Sequence, residues 1–279
     1  MNTRRSFLRN SSLAAGLLLL KSPLHTLAAN NMATIRLAGD SSGLLLHYTN
    51  DMHGNVFQGM DAGDLLLDAG DFTDGSTNHH AHLEVIHAMN AAGYHAATIG
   101  NRELANGTAA LAALIPAMKF ALVNCNYHFE DTKLAAMIKP ALIVQKGLIK
   151  IGITGVGTPL PGVAGVTVTD PVEAANAAAA HLRKQGCQLV ICLSHLGYDT
   201  TPGKVSNYAL VHESTDIDFI AGGHQHNNNS YLRSLRNAAG KEVLIGHTCS
   251  TNATVKGELA FSFNESQQLM QIMPAVLKA

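Results

Sequence analysis

Seven side chains in five short stretches have the types and spacing of a metal-ligand set: Asp51 and His53 in TNDMHGN, Asp71 in LDAGDF, Asn101 in TIGNRE, His195 in LSHLG, and His224 and His226 in GGHQH. Carboxylate, amide oxygen and imidazole make a mixed O/N donor set, which suits Mn, Fe, Zn or Co better than Ca or Mg. In DMH and HQH the donors are two residues apart, so in extended backbone both side chains of a pair face the same way and each pair can grip one ion. Asp71 follows Gly70, whose missing Cβ permits a sharp turn off a strand. With two oxygens, that carboxylate can bridge two ions. A pair of ions roughly 3.5–4 Å apart acidifies a shared water and clamps both ends of an in-line displacement, which is the chemistry of phosphoester cleavage.

For these donors to meet, the elements that carry them must end at one place. Each stretch lies just after an apolar run (LLLHYT, DLLLDA, HAATIG, QLVICLS, DIDFIA), and open α/β sheets bind their ligands beyond the carboxyl ends of the strands. Strands are expected at 44–49, 64–68, 95–99, 120–124, 188–193 and 217–221, with helices near 79–92 and 106–117. ALIVQKGLIKIGITGV (141–156) reads as a hairpin turning near Lys146 and Gly147. Residues 171–185 are Ala-rich and opened by Asp170 and Pro171, which predicts a helix. The stretches 243–248, 253–263 and 268–273 read as strands completing a second sheet. GITGVGTPLPG (152–162) lacks both GxGxxG and GK[ST] and reads as a loop. This alternation is that of a layered α/β fold.

Taken in order, the five motifs resemble the metallophosphoesterase domain of the calcineurin-like superfamily, specifically its 5'-nucleotidase branch, with motifs TNDxHG, GD, GNHE, SHxG and GGHxH. The resemblance runs from about residue 44 to 263. It implies a four-layer αββα sandwich with a two-metal site at the carboxyl ends of the strands. It also implies that Asp51, His53, Asp71 and His226 hold one metal while Asp71, Asn101, His195 and His224 hold the other. The expected activity is metal-dependent phosphoric ester hydrolysis of a small phosphate ester, with Asn101, His195 and Arg102 at the reacting centre.

Two departures qualify that expectation. Where the family has GNHE followed by a pair ending in Asp, this chain has Arg102 and, three residues on, Ala105. The resemblance gives the missing His a role in protonating the leaving oxygen, with the Asp orienting it. Arg102 offers charge and a fork of donors, but its pKa above ~12 bars it from acting as a general acid near neutral pH. Losing a positioned acid costs roughly 10²–10⁴-fold in rate, so activated aryl esters are expected to be cleaved better than nucleoside monophosphates. Alternatives are a metal-binding scaffold that no longer catalyses, or an enzyme acting on diesters or other oxyanion linkages. The second departure is the short Gly-rich link 54–63 between the first two motifs, where an irregular connection or an altered strand pairing is expected.

Residues 1–29 read as a twin-arginine export signal: TRRSFLR, a short apolar stretch from Leu13 to Leu20, then small residues near Ala28 and Ala29. The expected product is a periplasmic or secreted protein without stable membrane insertion, the apolar run falling far below the roughly 18 residues of a spanning helix. Residues 30–279 are then expected to form one metallophosphoesterase domain. No counterpart of the C-terminal base-recognition domain of related nucleotidases is expected within residues 30–279, so recognition is expected to be loose or supplied by a separate chain.

A formal net charge of −1 with no basic run beyond the signal argues against a nucleic-acid partner. Cys125, Cys187, Cys192 and Cys249 show no CxxC spacing and are expected as buried thiols, although an oxidising compartment would allow a pair. Among 15 His, those at 79, 80, 82 and 87 open a helix capped by Thr77 or Asn78 and read as a solvated face. His80 is the best candidate there to replace the missing acid, and His247 could reach the rim.

Overall fold

The computed structural model describes residues 32–56, 65–226, 230–248 and 256–274. Among these described residues, fifteen strands fall into two mixed sheets and a small ribbon. The first sheet has seven strands: β1 (Thr34–Leu37), β7 (Ala141–Lys146), β8 (Ile149–Gly157), β10 (Leu189–His195), β11 (Phe219–Gly222), β13 (Glu242–His247) and β12 (Tyr231–Arg236), in that spatial order. Its centre, from β8 to β13, is parallel. The second sheet runs β15 (Leu269–Pro274), β14 (Gly257–Phe263), β2 (Gly43–Thr49), β3 (Leu65–Asp68), β4 (Ala96–Ala97) and β5 (Ala121–Leu122), with β2 to β5 parallel. The ribbon pairs β6 (Tyr127–Phe129) with β9 (Val166–Val168).

Alternation along the strands divides the interior into three apolar layers, because successive side chains of a strand face opposite sides of its sheet. Leu65 and Leu67 of β3 pack with Leu189, Ile191 and Leu193 of β10 between the sheets. Leu66, on the opposite face of β3, packs instead with Val85, Ile86 and Met89 of helix α1 (His79–Ala92) and with Leu111 and Leu114 of α2 (Thr108–Leu114). On the far side, Val190 and Cys192 meet Val172, Ala175, Ala179 and Leu182 of a longer helix, together with Leu210 and Val211 of a shorter one. These are α4 (Pro171–Lys184) and α5 (Asn207–Glu213), with α3 (Thr132–Met137) lying earlier in the chain. The architecture is therefore the expected αββα sandwich. Each fully buried Leu, Ile or Val contributes about 1.5–3 kcal/mol toward holding it.

Helix α1 begins where Asn78 accepts from the Ala81 N–H and ends at Gly93 in the left-handed region. Helix α4 begins at Asp170, whose carboxylate accepts from the N–H groups of Val172 and Glu173. Both helices match the sequence reading. Three expectations need correction. Residues 242–247 join the sheet of β8, β10 and β11, while 257–263 and 269–274 extend the sheet that carries the first three motifs, so the C-terminal strands are shared between the sheets. Residues 152–157 are not loop but the end of β8, with the loop following from 158. Their glycines mark close approaches: a Cβ on Gly152 would lie 2.8 Å from Leu182 Cδ1, one on Gly155 would meet the Val123 carbonyl, and one on Gly157 the Tyr127 hydroxyl. Finally, the pairing is not altered, since β2 and β3 pair directly in parallel, Leu46 opposite Leu65; residues 57–63 of the link lie outside the described residues.

Cys125, Cys187 and Cys192 are free thiols; Cys249 lies outside the described residues. Burial pushes Cys125 and Cys187 up to about 11 and Cys192 well above its ordinary value. Because the thiolate is the nucleophile, these cysteines should react slowly with iodoacetamide in the native chain at neutral pH and quickly in denaturant. Peptide mass mapping reads both rates, and rapid native labelling would contradict the packing. No helix among the described residues is long and apolar enough to cross a membrane. The twin-arginine stretch falls in residues 1–29, outside the described residues.

Candidate metal centre

All five motifs lie at or just past the carboxyl ends of β2, β3, β4, β10 and β11, so the two sheets deliver their donors to one edge of the sandwich. The backbone there is unusual. Among the described residues only five other than glycine have positive φ, and four of them are candidate ligands: Asp51 (52°), His53 (46°), Asp71 (56°) and His224 (75°). Left-handed backbone at a non-glycine residue is uncommon and persists where the surroundings over-determine it, most often at functional sites. It also corrects the extended-backbone account of DMH and HQH. The donors of these pairs converge through left-handed turns, which spacing alone does not reveal.

Cross-links between motifs hold those turns. The pairing of β2 with β3 continues past both strands, through Ala69 N–H to Thr49 O (2.8 Å), Asp51 N–H to Gly70 O (3.0 Å) and His53 N–H to Asp71 O (3.0 Å). Asn50 donates to Asp51 Oδ2 (2.7 Å), while its Oδ1 accepts from Thr248 N–H (2.8 Å) and Thr248 Oγ1 (2.7 Å), tying one sheet to the other. The His224 N–H donates to both oxygens of Asp51 at 3.1 Å. Glu103 is buried and accepts four hydrogen bonds, from the N–H groups of Asp71 (2.9 Å), Thr73 (2.9 Å) and Gly100 (2.8 Å) and from Thr73 Oγ1 (3.0 Å). One carboxylate thus joins the Asp71 turn to the Asn101 turn. Glycine permits their contact: a Cβ on Gly100 would overlap the Asp71 carboxylate, and one on Gly70 would lie 2.9 Å from His195 Nδ1.

The donors converge as follows. Ligand atoms of Asp51, His53, Asp71 and His226 all lie within 4.8 Å of one another. His53 Nε2 is 3.9 Å from Asp51 Oδ1 and 3.7 Å from Asp71 Oδ2, His226 Nε2 is 3.9 Å from Asp51 Oδ1, and the His53 and His226 rings are 4.4 Å apart. On the other side His195 Nε2 is 3.3 Å from Asp71 Oδ2, the rings of His195 and His224 are 5.1 Å apart, and His224 Nδ1 is 3.0 Å from Asn101 Oδ1. Asp71 belongs to both groups. His195 Nε2 is also 3.9 Å from Asp51 Oδ1, so the two groups share an inner wall of carboxylate.

Does this donor set fit metal ions? His53 Nε2 and His195 Nε2 are buried and complete no hydrogen bond, a costly arrangement unless a cation is their partner. Nδ1 of His195 lies 2.8 Å from the Ala69 carbonyl; donating there leaves the Nε2 lone pair facing the carboxylates, as metal-ligating imidazoles are usually set. The electrostatics agree. Burial disfavours a charge on His195, but the Asp71 carboxylate and then Asp51 push it up to about 9. Burial likewise disfavours a charge on Asp71, yet His195 and the Arg102 N–H hold that carboxyl well below the usual range. Burial and the His195 charge lower His224. The pocket is built to hold positive charge between Asp51 and Asp71.

Arg102 stands beside the shared carboxylate. Its backbone N–H donates to Asp71 Oδ1 (2.8 Å), Nε lies 3.5 Å from Asp71 Oδ2, and Nη1 donates to the Asp74 carbonyl (2.7 Å). Ala105 is exposed and shares one side of its turn with Arg102, because a Cβ on Gly75 would lie 3.3 Å from Arg102 Cβ and 3.5 Å from Ala105 Cβ. His80 is no replacement acid; it is exposed and lies 3.3 Å from Glu84. His82, two residues on in the same run, is the buried exception, 2.8 Å from Asp74 Oδ1. His247 is buried, its Nδ1 at 3.0 Å from the Gly222 carbonyl and its ring stacked on Tyr231; it supports the His224 loop from behind. Sequence reading passed over Asn50, Glu103 and the Asp74–His82 pair. Asn50 and Glu103 lie inside the quoted motifs, and a polar residue forced to be buried at a strand end was the signal available.

Comparison with known proteins agrees with this geometry. Residues 45–228 match the family model for calcineurin-like phosphoesterases. A snake venom 5'-nucleotidase of Naja atra is 30% identical over 171 residues, covering 57% of this chain and 31% of that protein. The 5'-nucleotidase of Bos taurus is 28% identical over 193 residues, covering 65% and 32%. The chain therefore spans about a third of the length of these relatives. In fold it is similar to a 5'-nucleotidase precursor from Thermus thermophilus (TM-score 0.70, 24% identity, 83% of this chain and 53% of that one) and to the NAD nucleotidase of Haemophilus influenzae (TM-score 0.70, 22% identity, 84% and 50%).

Proposed function

We propose that this chain, which belongs to the calcineurin-like phosphoesterase family, is a two-metal phosphohydrolase that cleaves activated phosphate esters better than nucleoside monophosphates. The observation that carries the reading is the convergence of Asp51, His53, Asp71 and His226, with the buried, unbonded Nε2 atoms of His53 and His195 facing the same carboxylates. Asp51, His53, Asp71 and His226 would hold one ion of the Mn, Zn, Fe or Co class, and Asp71, Asn101, His195 and His224 a second. Bound there, such ions supply Lewis acidity and an activated water.

The chain's own residues do the rest. Asn50 and the His224 N–H aim Asp51, Glu103 holds the Asp71 and Asn101 turns together, and Arg102 places a permanent cation at the rim, where a phosphoryl group carries its negative charge. With Arg102 and Ala105 in place of a His/Asp pair, the pair that would protonate an alkoxide leaving group is missing. We further propose export through the twin-arginine signal at 1–29, a single domain over 30–279, and base recognition, if any, by a separate partner chain like the C-terminal domain of longer nucleotidases.

The deciding experiment is hydrolysis of para-nitrophenyl phosphate, bis-para-nitrophenyl phosphate and AMP by protein reloaded with Mn, Zn or Co, beside Asp71→Asn. We expect aryl ester cleavage that a chelator removes and that Asp71→Asn lowers by about 10²-fold or more, since even residues merely supporting ligands cost roughly 10–100-fold. Two ions bound per chain with no turnover on any ester would sink the catalytic reading in favour of a metal-binding scaffold.

A further inference from the structure

Beside the candidate metal centre lies a cleft of about 500 Å³ that the metal chemistry does not use. This is the size of a small-ligand site, roughly 300–1,000 Å³. It runs between the turn after β2 and helix α1, and His53, one of the candidate ligands, forms part of its wall. Any group esterified to a phosphate held at the centre therefore has this space open to it on the His53 side.

The chemistry of the walls is mixed in a particular way. Val56, Val85 and Ala88 give an apolar face. Asp74 gives a carboxylate that is fixed in place: its Oδ1 accepts from the Ser76 N–H (2.9 Å) and lies 2.8 Å from Nε2 of His82, and its carbonyl accepts from Arg102 Nη1. His82 is 8% exposed and Asp74 43% exposed, so a buried imidazole holds a carboxylate that still reaches the cleft. Asn55 adds an amide. Among the described residues no Phe, Tyr or Trp lines the cleft. Nor are the tyrosines behind the His224 loop open for stacking, because Tyr231 lies against His247 and Arg233 covers the rings of both Tyr198 and Tyr231.

We propose that this cleft is the leaving-group subsite and that it takes a hydroxyl-bearing, uncharged ring or chain, so that the substrate class is the monophosphate of a sugar or polyol, turned over more slowly than an aryl ester because its alkoxide leaving group lacks the His/Asp pair. The proposal rests on the phosphoesterase reading. A sugar presents C–H faces that pack on Val56, Val85 and Ala88 and hydroxyls that donate to Asp74 and bond to Asn55. Among the described residues a nucleobase would find no ring to stack on, and a second phosphate would meet the Asp74 and Glu84 carboxylates. Asp74 is thus a specificity-determining residue and His82 a positioning residue acting through it.

The test is calorimetric binding to the Mn-loaded full chain of three non-hydrolysable probes: the phosphonate analogue of glucose 6-phosphate, that of AMP, and methylphosphonate, which has nothing to place in the cleft. We expect the sugar phosphonate to bind about tenfold or more tighter than the other two. Asp74→Asn should narrow that advantage over methylphosphonate by roughly tenfold, the worth of a hydrogen bond to a charged acceptor, and Ala81→Leu, which adds bulk to the cleft wall, should narrow it as well. His82→Gln should act in the same direction as Asp74→Asn, and a merely structural role would instead weaken all three probes equally. An AMP analogue that binds as tightly as the sugar probe, or an advantage that survives Ala81→Leu, overturns the proposal. Failure of the phosphoesterase reading is seen separately, as an absence of aryl ester turnover while these probes still bind.

Discussion

Replacing Glu103 by Ala is expected to be the most damaging single change near the site. It leaves the buried N–H groups of Asp71, Thr73 and Gly100 and the Thr73 hydroxyl without their acceptor. An unsatisfied buried donor costs about 1–3 kcal/mol, so a loss of about 3–6 kcal/mol is expected after partial relaxation. For a domain of this size each kcal/mol moves Tm by about 2–4 °C, which predicts a fall of roughly 10–20 °C in the metal-free chain. Burial and the Asp71 charge raise the Glu103 carboxyl, and its hydrogen bonds to N–H donors oppose that rise. Glu103→Gln keeps the size and one acceptor oxygen but puts an NH₂ group against donors. We expect about half the loss in stability, and metal affinity that still falls because the Asp71 and Asn101 turns are no longer locked together. Calorimetric unfolding reads the first effect and metal titration the second. A Glu103→Ala protein that melts within a few degrees of the original would show that water replaces the carboxylate at little cost, and that the four hydrogen bonds do not set the turn.

The second large effect should come from reinstating the absent pair. Arg102→His with Ala105→Asp is expected to raise kcat/KM for AMP relative to para-nitrophenyl phosphate by about 10²–10⁴-fold, the usual worth of a positioned general acid. The geometry is favourable. Residues 102 and 105 share one side of the turn against Gly75, and position 105 is exposed, so an Asp there meets no steric obstacle and can orient the ring at 102. The ratio between substrates is the informative quantity. Losing the Arg102 cation beside Asp71 affects every ester, whereas proton delivery helps only the poor leaving group. If the double variant changes both substrates alike, proton supply does not limit AMP cleavage and some other feature accounts for any deficit. The single Arg102→His change should give a smaller gain, because nothing then fixes the tautomer or the ring.

A good part of this protein was legible from residue types and spacing. The seven donors, their order, and the strands that end just before them could be read because a metal ligand has few substitutes and a buried strand needs a continuous apolar run. Helices 79–92 and 171–184 were legible because their caps, Asn78 and Asp170, and their apolar periods are local. Strand lengths were less so: the expected strands at 95–99 and 120–124 shrink to two paired residues each, Ala96–Ala97 and Ala121–Leu122, since pairing stops where the chain turns into the site. The elements β1, β6, β9, β12, α3 and α5 escaped prediction, being short or too weakly patterned to stand out without their neighbours.

What the sequence alone determined, then, is the chemistry at hand: an O/N donor set on strand ends, a missing acid at Arg102 and Ala105, and an α/β chain to carry them. How the donors meet is set by contacts that exist only in the folded chain. The left-handed φ of Asp51, His53, Asp71 and His224 is held by contacts between motifs as far apart as Asp51 and His224, and the modest left-handed preference of Asp and His does not fix it by itself. The same holds for which sheet each C-terminal strand joins, for the choice of His82 rather than His80 as the buried imidazole, and for Glu103 as the common acceptor of two turns. Each depends on long-range burial, where the cost of an unpaired polar group selects one arrangement, and that cost is invisible until the chain is folded.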